Sequence, residues 1–336
     1  MKVSSFASWA LLAVAGSASP TPTTEQGHSL NKRAAITDAC NIGYCTQNGG
    51  IRTKGGAGGT TTTVTTLAQL SAAANASGPG IVIVQGNLVG AAKVQVGSDK
   101  TIVGKSGSSL EGIGLTINGQ KNVIVRNMKI NKVEADYGDA ITIQLSKNVW
   151  VDHCDLSASR GDVDKDFYDG LTDLSHAADW VTVSHTYFHD HSKGSLVGHS
   201  DNNAAEDTGT LHVTYANNHW YNVRSRGPLL RFGTAHVYNQ YYNDMDTGSG
   251  LNSRMGAQAL IQSSLFENVG KKAIFSESSK EVGYVVAIDV TLTGESANTA
   301  PVGTLTASSF PYSYSLLGSG NVKAAVTAEA GQTLGF

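Results

Sequence analysis

Short runs of β-forming residues recur along this chain at intervals that limit it to very few architectures. They read Asn122-Val-Ile-Val125, Asn148-Val-Trp-Val151, Trp180-Val-Thr-Val183, Leu211-His-Val213, Ala235-His-Val237 and Ala259-Leu-Ile261, with last residues 24 to 32 positions apart. The echo extends past each run, into Asn127-Met128, His153-Cys154-Asp155-Leu156, Thr186-Tyr187-Phe188, Asn218-His219-Trp220, Tyr241-Tyr242-Asn243 and Ser264-Leu265-Phe266. A fixed period with variable loops marks a repeat architecture. Helical repeats would need amphipathic stretches of about ten residues or more, and these runs are short, rich in Val, Ile, Thr and Tyr, and bounded by Gly, Asn, Asp and Ser. Propeller blades take roughly 40 residues each, whereas one coil of a parallel β-helix closes in little more than half that. The sequence therefore predicts an all-β parallel β-helix, a solenoid whose equivalent side chains stack in ladders. Asn127, Asn218 and Ser264 are candidate ladder members with a structural role, because a buried polar group must find partners.

Open solenoid ends need caps. Thr65 to Asn75, with its Thr start, its alanines and Gly78-Pro79 beyond, reads as a capping helix for the N-terminal end. The segment from about Gly283 to Phe336 departs from the repeat and is expected to cover the other end.

The first residues read as a leader. Met1-Lys2 is a basic start, Ala7 to Ala15 is apolar, and Gly16-Ser17-Ala18 offers small residues for cleavage, which predicts a signal peptide over residues 1–18. A polar stretch over 19–33 closes on the dibasic pair Lys32-Arg33 and reads as a propeptide, leaving one domain over 34–336. No run approaches the roughly 20 apolar residues of a membrane helix. A secreted, extracellular monomer is expected, with a sequon at Asn75-Ala76-Ser77 as a glycan site. Net charge is −3, so no overall field draws the chain to nucleic acid or to a membrane. Three cysteines are too few for a disulfide scaffold; Cys40 with Cys45 is the preferred pair, and Cys154 reads as a buried small hydrophobe.

The chemistry-bearing residues fall into two sets. Asp139 precedes the run Ala140-Ile-Thr-Ile143, and Asp169 and Asp173 follow about one coil later, so stacking can bring the three together. Asp169 and Asp173, four apart, can share one face of a strand. Oxygen ligands without His or Cys favour calcium over zinc or copper. Asp162-Val-Asp-Lys-Asp166 imitates the start of an EF-hand loop, but Phe167 stands where that loop requires glycine; Asp164 or Asp166 remains available to a second ion. The cations Lys193, Arg226, Arg231 and Arg254 are read into successive repeat units, gathered along one groove suited to a linear polyanion such as polyuronate.

Five motifs in order, Val149-Trp-Val-Asp-His-Cys154, Asp169-Gly-Leu-Thr-Asp173, His189-Asp-His-Ser-Lys193, Arg226-Gly-Pro-Leu-Leu-Arg231 and Ser249-Gly-Leu-Asn-Ser-Arg254, together resemble the extracellular pectate lyases, particularly the fungal ones. The resemblance runs from about Ala34 to Gly270. It implies a right-handed parallel β-helix, calcium ligation by Asp139, Asp169 and Asp173, Arg226 as catalytic base, and Lys193, Arg231 and, less directly, Arg254 as binders of substrate carboxylates. The implied reaction is calcium-dependent β-elimination in polygalacturonate. Certain bacterial relatives carry an acid where this chain has Tyr137 and a lysine where it has Ser175. Pectin lyases, acting on esterified polymer without calcium, are the nearest alternative, and the intact acid set with Lys193 argues against them. Polygalacturonases use an adjacent aspartate pair, which is absent here. A non-catalytic polysaccharide-binding β-helix is the third reading.

Overall fold

A computed structural model describes residues 34–48, 51–161, 163–245 and 248–336, with Met1 and Thr23–Thr24. The expected leader and propeptide therefore lie outside the described residues, that dipeptide and Met1 apart, as does Asp162.

The chain winds as a right-handed parallel β-solenoid, the hand that parallel crossovers take in nearly all cases. Each rung lays down up to three strands, and each strand pairs in parallel with its counterpart one rung away. The first stack runs through Thr60–Val64, Gly80–Val84, Lys100–Gly104, Lys121–Arg126, Lys147–Asp152, Asp179–Ser184, His212–Ala216, Thr234–Tyr238, Gln258–Glu267 and Tyr284–Thr293. All six runs read from the sequence fall on it, with Leu211 immediately preceding its strand. Register corrects one of them: Val183 pairs with Tyr215, two residues beyond the expected Val213, and Val213 pairs with Val181. An extra pair of residues in that rung displaced the reading by one full side-chain alternation.

Two inward ladders fill the core from this stack. Val123, Val149, Val181, Val213, Ala235 and Ala259 form one, and Val125, Val151, Val183, Tyr215, Val237 and Ile261 the other, every one of them buried. The second stack adds Ile130, Leu156, Phe188, Trp220, Tyr242 and Phe266 in register. Its rings lie nearly parallel, with centroids 4.0 Å apart for Phe188 and Trp220 and 4.1 Å for Tyr242 and Phe266. Aromatic side chains carry the largest apolar area per residue into such a core.

The corner between first and second stacks explains the polar echo. Asn127, His153, His185, Asn217 and Asn239 follow the strand ends one rung after another and Ser263 takes the same place within Gln258–Glu267, all with φ between 45° and 57°. This left-handed conformation turns the chain sharply, and Asn and His tolerate it better than β-branched residues. Asn218 and Ser264 occupy the next position, so the three predicted ladder residues belong to two neighbouring ladders. They bond mainly to backbone: Asn127 Nδ2 donates to the Gly104 carbonyl (2.8 Å), and Asn218 Nδ2 to that of Val183 (3.0 Å). The Thr186 amide donates to Asn218 Oδ1, and the Gln240 amide to Ser264 Oγ.

At the N-terminal end, helix Leu67–Ala74 begins after Thr66, whose hydroxyl accepts from the Gln69 amide, and buries Leu70 and Ala74 on the core. The C-terminal segment does more than cap. Tyr284–Thr293 is a further strand of the first stack, and bridges of Asn298 with Ile274 and Val302 with Val285 close the last rung. The remainder turns back along the flank. Phe310, Tyr312 and Tyr314 pack with Tyr44, Tyr238 and Leu260, helix Ser319–Glu329 rests Val322 and Val326 on Tyr241, and Gln332 Nε2 donates to the carbonyls of Ser108 and Asn127. Cys40 and Cys45 are disulfide-bonded. Burial pushes the free Cys154 thiol up to about 12.

The third stack comprises Ile141–Gln144, Thr172–Ser175, Leu196–Val197, Leu229–Arg231, Leu251–Arg254 and Ile274–Phe275. The longest rungs place their surplus in segments 158–171 and 198–211, where the chain enters and leaves this stack.

Candidate active site

Every predicted chemical residue flanks the third stack. Asp139 sits at the turn into Ile141–Gln144, where its Oδ2 accepts from Thr142 Oγ1 (2.7 Å) and its Oδ1 from the Gly170 amide (2.9 Å). One rung later Asp173 lies within Thr172–Ser175, in register with Thr142. Its Oδ1 accepts from the Leu196 amide at 3.0 Å, and its Oδ2 faces Arg226 Nη1 at 3.1 Å. Asp169 is not on that strand, contrary to the shared-face expectation. It reaches the same place from the segment before that strand, next to Gly170, where a Cβ would come within 2.4 Å of the Asp173 carboxylate; glycine leaves that approach open.

Carboxylate oxygens of Asp139, Asp169 and Asp173 lie within 4.8 Å of one another. Asp139 and Asp173 are only 6% and 8% exposed. Burial, with Asp169 adding like charge, raises the Asp139 carboxyl, and burial together with Asp139 lifts Asp173 well above the usual carboxylate range. Three acids packed this way are a poor arrangement alone and a good one around a hard divalent cation, which takes oxygen ligands.

Around this cage stand the cations. Lys193 Nζ lies 2.9 Å from Asp166 Oδ1 and 3.6 Å from Asp169 Oδ1. The Lys193 amide donates to Nδ1 of His191 (2.8 Å), whose ring is held neutral, at about 4, by burial and then by Lys193 and Arg226. Arg226 adopts φ 63° immediately before the cis Gly227–Pro228 bond, and its carbonyl accepts from the Ser195 amide at 2.7 Å. Arg231 ends the strand that Arg226 precedes, and its Nε pairs with Asp201 Oδ1 at 2.6 Å. Arg254 lies in register with Arg231 one rung on. Its Nε is buried with no hydrogen-bond partner among the described residues, and burial, then Arg231, lowers its pKa.

The structure thus brings Asp139, Asp169 and Asp173 together beside Arg226 and Lys193, and besides the placement of Asp169 a second expectation is revised. The four cations span three rungs, with Arg226 and Arg231 at opposite ends of one strand; Arg231 is occupied by Asp201. Four participants were missed: Thr142, His191, Asp166 as the partner of Lys193, and Asp201. Nothing in His199-Ser-Asp-Asn-Asn203 sets Asp201 apart from a solvated loop acid. Asn75 is exposed, at the C-terminal cap of helix Leu67–Ala74. A second group of metal-type side chains, Asp152, His153 and His185, is already satisfied. Arg126, His153, Ser184 and His185 all bond the Asp152 carboxylate.

A family model described as pectate lyase matches residues 17–334. The chain belongs to the pectate lyase family. It is 56% identical over 327 residues to pectate lyase plyB of Emericella nidulans, covering 96% of this chain and 98% of that one. It is 57% identical over 308 residues to pectate lyase B of Colletotrichum gloeosporioides, covering 92% and 90%. Among solved structures, a Bacillus sp. N165 pectate lyase in complex with trigalacturonate superposes with TM-score 0.77 at 28% identity, over 87% of this chain and 98% of that one. Pectate lyase C of Erwinia chrysanthemi, solved with calcium, gives TM-score 0.70 at 28% identity, over 84% and 96%. The activity is accordingly that of a pectate lyase, an enzyme acting on polysaccharide. Among the described residues of this pectate lyase, no helix is long and apolar enough to cross a membrane.

Proposed function

We propose that this pectate lyase cleaves (1→4)-α-D-galacturonan by β-elimination at the groove over the third stack, with calcium held by Asp139, Asp169 and Asp173. The observation that carries the reading is the acid cage whose Asp173 touches Arg226 while Asp169 faces Lys193. The trigalacturonate complex of the Bacillus relative supports the substrate, and the calcium present with the Erwinia enzyme supports the metal. The donor set fits: oxygen ligands only, and two buried carboxyls that resist ionising without a cation.

The C5 proton of a galacturonate lies next to a carboxylate, whose charge opposes formation of a carbanion. Calcium in the cage supplies positive charge that offsets this carboxylate. Lys193 and Arg231 hold further carboxylates of the polymer, with Arg254 beside Arg231 extending the grip. Arg226 accepts the C5 proton, charge spreads into the enediolate, and the 4-oxygen leaves with the electrons of its bond to C4, giving a 4,5-unsaturated end. These side chains grip the enediolate more tightly than the ground state, which is where rate acceleration arises. A guanidinium ordinarily keeps its proton, so the rate should climb steeply into alkaline pH.

We also infer a secreted monomer: signal peptide over 1–18, propeptide over 19–33, lyase domain over 34–336, and a glycan on Asn75. The exposure of Asn75 supports the last of these.

The deciding assay follows ultraviolet-absorbing unsaturated product from polygalacturonate in calcium, then in chelator, beside highly methyl-esterified pectin. Product should vanish in chelator and be scarce from the ester. Arg226→Lys should cut turnover by roughly 100-fold or more, the scale of a lost proton-transfer group, with polymer retention in affinity electrophoresis unchanged. Chelator-resistant product, faster on the ester, would overturn the reading in favour of a pectin lyase.

A further inference from the structure

We propose that Asp201 is a positioning residue for the reaction: it fixes Arg231 in the orientation that meets substrate, and its charge lets two guanidiniums stand one above the other. The inference rests on the reading of Arg231 as a carboxylate binder.

Three contacts define the arrangement. Arg231 Nε donates to Asp201 Oδ1 at 2.6 Å and its Nη1 to the Gly198 carbonyl at 2.8 Å. Nη2 is left as the guanidinium nitrogen with no hydrogen bond among the described residues. The opposite oxygen of Asp201, Oδ2, accepts from Ser279 Oγ (2.8 Å) and from the Lys280 amide (3.1 Å). The carboxylate is therefore clamped from both sides, by a groove arginine and by a segment nearly 80 residues further along the chain. Burial alone would raise its pKa, yet hydrogen bonds from Arg231, Ser279 and Lys280 hold it at about 2, so the charge persists wherever the enzyme works.

That charge has a second use. Arg231 and Arg254 are partners on adjacent parallel strands, about 4.8 Å apart along the stack, and two cations at such spacing repel. Asp201 opposes this, since its field favours the charged form of Arg254 while Arg231 disfavours it. The clamping segment also sets Arg254: Val282 bridges the Arg254 backbone, and the Met255 amide donates to the Glu281 carbonyl. One junction thus aligns two charges that would otherwise splay. A long flexible cation binds a carboxylate better once its fork is oriented in advance.

A double-mutant cycle tests this on the full chain, with polygalacturonate as substrate. Asp201→Asn should lower kcat/KM on the order of 10-fold to 100-fold, the cost of a misplaced binding group, mainly through KM. It should also narrow the preference for polygalacturonate over methyl-esterified pectin, which a merely structural lesion would not do. In an Arg231→Ala background the same change should add almost nothing, because the two act as one unit. Ser279→Ala, a gentler disturbance, should reproduce a smaller fraction of the effect if Asp201→Asn folds poorly. A damaging Arg231→Ala with a harmless Asp201→Asn overturns the positioning role, as does an equal Asp201→Asn penalty with and without Arg231. A harmless Arg231→Ala instead overturns the assignment of Arg231 itself, and the proposal with it.

Discussion

Asp139 shows what the site costs the fold. Its carboxyl is raised in the folded protein, so between the ordinary carboxylate pKa and the raised one the folded state holds more protons than the unfolded state. Stability in chelator must then fall as pH rises through that window. Asp139→Asn keeps the shape and removes the charge. In chelator at neutral pH the variant should melt above the parent; in excess calcium the order should reverse, because a site filled at about 100 times its Kd contributes about 2.7 kcal/mol to the parent alone. Melting curves with and without calcium check this, and an unchanged order would remove the metal from Asp139. The acids were legible in the sequence because their spacing matched one coil. Asp201, and the pairing of Asp166 with Lys193, were not, because an ion pair made from a loop leaves no period to read.

At the level of single elements, the corners carry the sequence's polar echo. Asn218 satisfies the Val183 carbonyl and the Thr186 amide inside the wall, so Asn218→Ala leaves two buried backbone groups without partners. A loss of about 1 to 3 kcal/mol is expected, visible as a lower urea midpoint with an unchanged denaturant slope, while KM for polymer stays put. A shift under 0.5 kcal/mol, the ordinary range for surface changes, would contradict the role. The strands of the first stack were readable one by one. Their alignment was harder, and the Val213 slip shows why: two apolar positions two residues apart look alike in sequence, and only pairing with the neighbouring rung separates them.

For the whole molecule, packing of the returning C-terminal segment contributes to how stability responds to acid. His236 is buried, stacked on Phe310 at 4.0 Å between the Tyr312 hydroxyl and Gln262, and burial pushes its pKa down to about 3. The unfolded chain protonates this imidazole near the ordinary value of about 6.5. Between these limits the unfolded state binds the extra proton, so stability declines on acidification, by up to about 1.4 kcal/mol per pH unit. His236→Gln should flatten that decline, measured as urea midpoints from neutral pH to pH ~4; an unaltered slope would place the acid sensitivity elsewhere. The sequence marked residues after about Gly283 as poorer in the repeat, although Tyr284–Thr293 still belongs to it. It held no sign that they run back along the flank, since packing of Phe310, Tyr312 and Tyr314 on distant rungs follows no local period.

The surplus residues of the longest rungs leave the winding only at its corners, in segments 158–171 and 198–211. Strands of fixed pitch bear Asp173 and follow directly on Asp139 and Arg226, while the rims that bring Asp166, Asp169 and Asp201 lie outside the paired strands of the third stack. Changes of length in these rims therefore act on Asp169 and Asp201 first, while the strands beneath keep their pairing.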